Sequence, residues 1–137
     1  MAVKKGVRYV NDSKCTTAAA LRVALESFEG PVLLLAGGVF KGGDLEGLIP
    51  LLREKVEAVG LYGASREIFE KAWSGITGKN GLIPVSWDEK LAEAFARLNR
   101  LAASGDTILL APATSSYDQY KNYKERGEDF KKLAGKL

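Results

Sequence analysis

Histidine does not occur in this chain. Its absence excludes Ser-His-Asp and Cys-His nucleophilic systems and every histidine-ligated metal site. There is one cysteine, Cys15, so neither an intrachain disulfide nor a cysteine-based zinc cluster can form, and a reducing, cytoplasmic compartment is the expectation. No apolar run approaches the ~20 residues of a membrane span. The opening Met1-Ala2-Val3-Lys4-Lys5-Gly6 lacks the apolar stretch of a secretory signal. A large excess of one charge is absent too: 20 Lys and Arg face 17 Asp and Glu, a net of +3. Basic residues gather at Lys4-Lys5-Arg8 and at Lys121, Lys124, Arg126, Lys131, Lys132 and Lys136, where most alternate with acids as on a solvated helix face. Neither a nucleic acid nor a membrane is therefore an expected partner. What remains is a chain of 137 residues, 46% hydrophobic and 27% charged, which fits one globular domain over residues 1–137 with its own core.

Strand-like and helix-like segments alternate along it. Val7–Val10 is rich in β-formers. Thr16 or Thr17 then caps a helix running to about Phe28, with Leu21, Ala24, Leu25 and Phe28 on one face. Gly30-Pro31 breaks it, and Val32–Ala36 is an uninterrupted apolar run of the kind that forms a strand buried on both faces. Asp44 caps a helix from Leu45 to about Val56, with Pro50 favouring a true start near Ile49. Ala58–Tyr62 reads as a strand, Ser65 to Trp73 as a helix, and Leu82–Val85 as a short strand whose proline points to a sheet edge. Trp87-Asp88 leads into a long helix with Leu91, Ala94, Phe95, Leu98 and Leu101 in one stripe. Thr107–Ala111 is the last strand, and 117–123 and 125–133 read as helical. This alternation predicts an α/β fold: a doubly wound, mostly parallel, Rossmann-like sheet with helices on both faces.

In such sheets ligands bind beyond the carboxyl ends of the strands. The segments placed there hold Asp12, Ser13, Lys14, Cys15 and Thr16 after the first strand, and Gly37, Gly38, Val39, Phe40 and Lys41 after the second. Ala113, Thr114, Ser115 and Ser116 follow the last. Two lysines, several hydroxyls and helix N-termini on one rim suit an anion, carboxylate or phosphate. The bland alternative is that Gly, Ser and Thr populate any such turn as caps. Neither G-x-x-x-x-G-K-[ST] nor G-x-G-x-x-G occurs, so the chain has no recognised phosphate cradle of its own.

Asn11-Asp12-Ser13-Lys14-x-Thr16, then Leu35-Ala36-Gly37-Gly38 with Lys41 three residues on, then Ala111-Pro112-Ala113 leading to Ser116-Tyr117-Asp118-Gln119-Tyr120-Lys121-Asn122-Tyr123 and Arg126-Gly127, follow one another in an order that resembles the C-terminal domain of the Mur ligases. The D-glutamate-adding branch is the nearest likeness, and it covers Gly6 to about Leu133. The resemblance implies an ATP-dependent acid–amino-acid ligase of peptidoglycan synthesis, of which this part brings the amino acid. It implies that Thr16, Lys41 and Ser116 hold the D-glutamate carboxylates, that Tyr117 and Tyr123 shape that pocket, and that Asp12 and Lys14 face the nucleotide. ATP, magnesium and UDP-muramoyl-alanine belong to two further domains, so the chain alone needs no cofactor, holds no metal and is catalytically incomplete. Departures from the family pattern fall on the rim: Cys15 and Thr17 where alanine and asparagine are usual, and Phe40, after Val39, where an aspartate is usual.

Those departures open a second reading, an engineered or repurposed scaffold that self-associates or binds a new ligand through Val39, Phe40, Cys15 and Tyr117. Cys15, beside Lys14 and near a helix N-terminus, is a candidate reactive thiol with a lowered pKa, or else a small residue tucked beneath the turn. Val39-Phe40 either covers a pocket or folds back onto the core.

Overall fold

A computed structural model describes residues 2–79, 81–116 and 119–137. The chain opens with strands β1 (Ala2–Lys4) and β2 (Val7–Asn11), which pair antiparallel around Lys5-Gly6, both at positive φ as a two-residue hairpin turn requires. The first of these strands was not expected; Lys-Gly is a weak turn signal beside Asn-Gly. Helix α1 (Ala18–Glu26) follows, capped by Thr17, whose hydroxyl accepts from Ala20 N at 3.0 Å. It stops two residues short of Phe28, which lies half-buried beyond its end. Strand β3 (Val32–Gly37) is buried along its whole length.

Asp44 does cap a turn, accepting from Gly47 N at 2.9 Å, but that turn is a 3-10 segment, Glu46–Leu48, and α2 runs Ile49–Lys55 with Pro50 in its first turn. Strand β4 (Val56–Tyr62) and helix α3 (Arg66–Trp73) come next. The expected strand at 82–85 is displaced: β5 (Thr77–Gly78) and β6 (Gly81–Leu82) form a small separate hairpin, and the edge strand of the main sheet is β7 (Val85–Asp88). Pro84 lacks the N–H for a ladder, yet its carbonyl accepts from Val59 N at 2.9 Å, so pairing starts after it. Trp87-Asp88 thus belongs to a strand rather than to a helix start. Helix α4 (Leu91–Leu101) buries Leu91, Ala94, Phe95 and Leu98, whereas Leu101 is 55% exposed and leaves the stripe. Strand β8 (Thr107–Leu110) precedes α5 (Tyr123–Gly135). Residues 119–122 are turn and bend, not helix; Asn122, in extended backbone, caps α5 by accepting from Glu125 N. Tyr117, for which helix was also expected, lies outside the described residues.

The six main strands lie in the order β1-β2-β8-β3-β4-β7, all neighbours parallel except β1 and β2. The period-two geometry of β3 sends Val32, Leu34 and Ala36 into a core with Leu21 and Leu25 of α1, Leu52 of α2 and Phe69 and Trp73 of α3. Leu33 and Leu35 point the other way, to Leu91, Phe95 and Leu98 of α4 and Phe130 of α5. An unbroken apolar run is therefore what this strand needs, since helices cover both of its faces. Among the described residues no helix is long and apolar enough to cross a membrane.

Candidate functional site

Strand β8 sits between β2 and β3. The chain leaves β2 for α1 on one face, and it leaves β8 for α5 on the other. Turns that diverge from adjacent parallel strands leave a crevice at the carboxyl edge, the topological switch point. Three turns border it: residues 12–16 after β2, 38–44 after β3 and 111–116 after β8.

The first turn is held by three backbone N–H groups. Asp12 N donates to Leu110 O at 2.7 Å, Cys15 N to Asp12 O at 2.9 Å, and Ser13 N to the Asn11 side chain at 3.0 Å. Lys14 and Thr16 are exposed and Asp12 is half-buried. Because Thr17 takes the capping role, Thr16 stays on the open turn. Burial holds the Asp12 carboxyl above the usual range, with Lys14 pulling the other way.

In the second turn Gly37 and Gly38 have φ of 144° and 119°. Gly38 N donates to Tyr62 O at 3.2 Å, and Val39 forms a two-bond antiparallel bridge with Ser115. Phe40 N donates to Ser65 Oγ at 2.8 Å, and its ring meets Phe69 edge-on at 5.5 Å. Val39 and Phe40 thus fold back onto the body of the domain. Lys41, next in line, is exposed.

In the third turn Ala113 adopts a left-handed conformation (φ 60°) and Thr114 is fully buried. Ser116, expected on the open rim, is only 2% exposed, and its carbonyl accepts from Gln119 N and Tyr120 N. Its side chain is therefore enclosed rather than on the open rim. Tyr123 is the first residue of α5, half-buried, and its carbonyl accepts from Ser13 Oγ at 2.6 Å. Tyr120 packs against the α4–α5 core, and its hydroxyl donates to Asp129.

Cys15 corrects the expectation of a lowered pKa. It is 2% exposed, and burial pushes its thiol up to about 11, with Asp12 adding to the rise and a backbone hydrogen bond from Ala113 and the Arg126 charge opposing it. Dehydration outweighs the helix terminus here. The thiol is ordinarily near 9. Below that pH folded and unfolded thiols are both protonated. Between 9 and 11 only the unfolded chain ionises, so stability falls as pH rises. The loss approaches about 2–3 kcal/mol above the folded value. Urea unfolding at pH 8 and pH 10.5 should show wild type losing more stability than Cys15→Ala. Iodoacetamide at pH 7 should label Cys15 only when urea is added.

One buried polar group was not anticipated. Arg126 reads in the sequence as one charge of a solvated helix face, and the other basic residues of that stretch are exposed, but Arg126 is 0% exposed. Its Nε donates to Ser13 Oγ at 2.8 Å and its Nη1 to Thr114 Oγ1 at 3.1 Å; Nη2 donates to the carbonyls of Ser13 at 2.8 Å and Thr114 at 3.0 Å. The Thr114 hydroxyl in turn donates to Gly37 O. A signal was available beside it. Glycine inside a helix costs about 1 kcal/mol relative to alanine, and a Cβ on Gly127 would stand 2.8 Å from Asn11 Nδ2. Gly127 marks a face pressed against the end of β2.

Fold and topology together define an α/β domain with a mostly parallel, doubly wound sheet. No protein-family model matches the chain. Curated relatives do. A UDP-N-acetylmuramoylalanine--D-glutamate ligase from Nitratidesulfovibrio vulgaris is 58% identical over 131 residues, covering 96% of this chain and 29% of the ligase. The ligase of the same name from Lawsonia intracellularis is 60% identical over 128 residues, 93% of this chain and 28% of that protein. The one from Salinibacter ruber is 44% identical over 131 residues, 96% and 27% respectively. The chain is a Mur ligase-like domain, and it spans less than a third of the length of the curated relatives it matches.

Proposed function

We propose that this chain is the amino-acid-binding domain of a D-glutamate-adding ligase and takes D-glutamate at the switch-point rim. The observation that supports the reading most is the convergence of the three turns that bear Thr16, Lys41 and Ser116, two of them joined by Arg126 and the third tied in through Thr114 and Gly37. D-Glutamate presents two carboxylates. A lysine ammonium and hydroxyls are fitting donors for them, because hydrogen bonds to ionised oxygens are roughly twice as strong as neutral ones. Thr16 and Lys41 meet the ligand from the open rim, Ser116 from its enclosed position, and Tyr117 and Tyr123 bound the pocket. Tyr117 enters on the sequence resemblance alone.

Asp12 and Lys14, on the turn beside Thr16, face the nucleotide side. The chain has no glycine-rich phosphate loop, and among the described residues no group of three carboxylate or thiol ligands gathers. ATP, magnesium and the UDP-muramoyl-alanine acceptor are therefore assigned to the remainder of a ligase. Alone, the domain binds and orients one substrate without completing a reaction.

An NMR titration tests the assignment. D-Glutamate should produce saturable shifts at the backbone amides of residues 12–16, 38–41 and 113–116, and L-glutamate should produce weaker ones. Lys41→Ala should weaken D-glutamate binding by about 10- to 100-fold, the worth of one charge-assisted hydrogen bond, without changing the dispersion of the spectrum. Shifts confined to other surfaces, or an affinity indifferent to Lys41→Ala, would count against it.

A further inference from the structure

Arg126 occupies a position that opposes it twice. It is fully buried, where dehydrating a guanidinium carries a penalty of several kcal/mol. It is also the fourth residue of α5, in the first turn of the helix, where the positive end of the dipole disfavours a cation. Among the described residues no carboxylate forms a salt bridge with it. A residue that breaks local rules in this way marks a site where something else is gained.

What is gained is visible in its hydrogen bonds. The guanidinium is a rigid fork of five N–H groups that a lysine cannot imitate. One side of the fork takes the hydroxyl and carbonyl of Ser13; the other takes the hydroxyl and carbonyl of Thr114. Through the Thr114 hydroxyl the link continues to Gly37 O. The glycine turn then rests directly on the fork: a Cβ on Gly38 would lie 3.3 Å from Nη1 and 2.5 Å from both Thr114 Oγ1 and Ser115 O. Ser13 Oγ closes the ring by donating to Tyr123 O at 2.6 Å. The turns bearing Thr16, Lys41 and Ser116, and the helix start bearing Tyr123, thus share one buried hub.

We propose that Arg126 is the positioning residue of the rim: it locks the turns after β2, β3 and β8 into a single unit, so that the groups they carry keep a fixed spacing toward a dicarboxylate. The inference about locking stands on the hydrogen bonds alone; its consequence for D-glutamate rests on the reading given above. Groups held by a shared hub are preorganised, so a ligand that bridges them does not have to order each turn separately.

Two variants separate geometry from charge. Arg126→Lys keeps the cation and loses the fork; Thr114→Val keeps Arg126 and removes only the acceptor and the onward link to Gly37. Amide hydrogen exchange in the whole chain reads the locking directly. Arg126→Lys should raise exchange in residues 12–16, 38–40 and 113–116 together, while amides of β4 and α4 stay at wild-type protection; a merely global loss of stability would raise those as well. Thr114→Val should loosen 38–40 and 113–116 and leave 12–16 protected. D-Glutamate affinity should fall about tenfold or more in Arg126→Lys, the scale seen when a group that orients metal ligands is removed. Loosening of a single turn in Arg126→Lys, wild-type exchange in all three, or uniform loosening of the whole domain overturns the proposal. Joint loosening in a chain whose wild type takes no D-glutamate upholds the hub and removes the ligand reading instead.

Discussion

Gly37→Ala is expected to destabilise the domain by about 3–5 kcal/mol, combining overpacking with backbone strain. A Cβ there would stand 2.0 Å from Tyr62 O and 2.8 Å from Tyr62 N. Both are backbone atoms of the neighbouring strand, so no rotamer change relieves the clash. The φ of 144° adds strain of its own for an L side chain. The damage falls on the rim because Gly37 N donates to Pro112 O at 3.3 Å while its carbonyl accepts the Thr114 hydroxyl. Gly42→Ala is the matched comparison. Gly42 also has positive φ, 113°, but a Cβ there meets nothing within 4 Å. Strain alone operates, at about 1–2 kcal/mol. Urea midpoints for the two variants, read with unchanged m-values, should differ accordingly. Equal shifts would mean that the approach of β3 to β4 at Gly37 does not limit side-chain size.

Trp73→Ala should be similarly damaging, about 3–5 kcal/mol. The indole is wholly buried, meets Phe69 edge-on at 5.2 Å, and its N–H donates to Leu45 O at 2.8 Å. Trp73→Phe retains much of the packing and removes that donor. Leaving the Leu45 carbonyl unsatisfied costs about 1–3 kcal/mol. Leu45 ends the glycine-rich segment that starts after β3, and Phe40 in that segment lies against Phe69. The α3 aromatics therefore anchor the loop that carries Lys41. Thermal melts of both variants give the stability terms. D-Glutamate titration of Trp73→Phe should show weaker binding beyond what its melting temperature accounts for; unchanged affinity would show that the loop is held without the indole.

Periodicity made the layered architecture readable. Val32–Ala36 declared a doubly covered strand, and the stripe Leu91, Ala94, Phe95 and Leu98 declared α4. Where reading failed, short-range chemistry had little contrast. Lys5-Gly6 makes a hairpin turn without the usual residues. The 3-10 turn before α2 and the shift of the edge strand past Pro84 are decided by tertiary hydrogen bonds. The tyrosines at 117, 120 and 123 imitate a helical repeat, but Asn122 resets the backbone and the helix starts only at Tyr123. For the rim, spacing in the sequence named the turns and most of their exposed groups. It did not reveal the hub. A buried arginine looks like a solvated one until the partners that dehydrate it are known, and Ser13 and Thr114 lie 113 and 12 residues away. Likewise the Cys15 environment depends on what covers the turn, not on its neighbours in sequence.

The place of β8 has a consequence for how the molecule comes into being. It follows every other strand of this sheet in sequence, and it fills the slot between two of the earlier ones. Until residues 107–110 emerge, 7–11 and 32–37 cannot be joined, and the nascent β3 carries an open apolar flank of the kind that invites association with other chains. Parallel pairing over such separations is slow because ring closure precedes reward. A fragment ending short of Thr107 should accordingly be two halves of a sheet without a seam, prone to stick to its copies, however complete its individual helices.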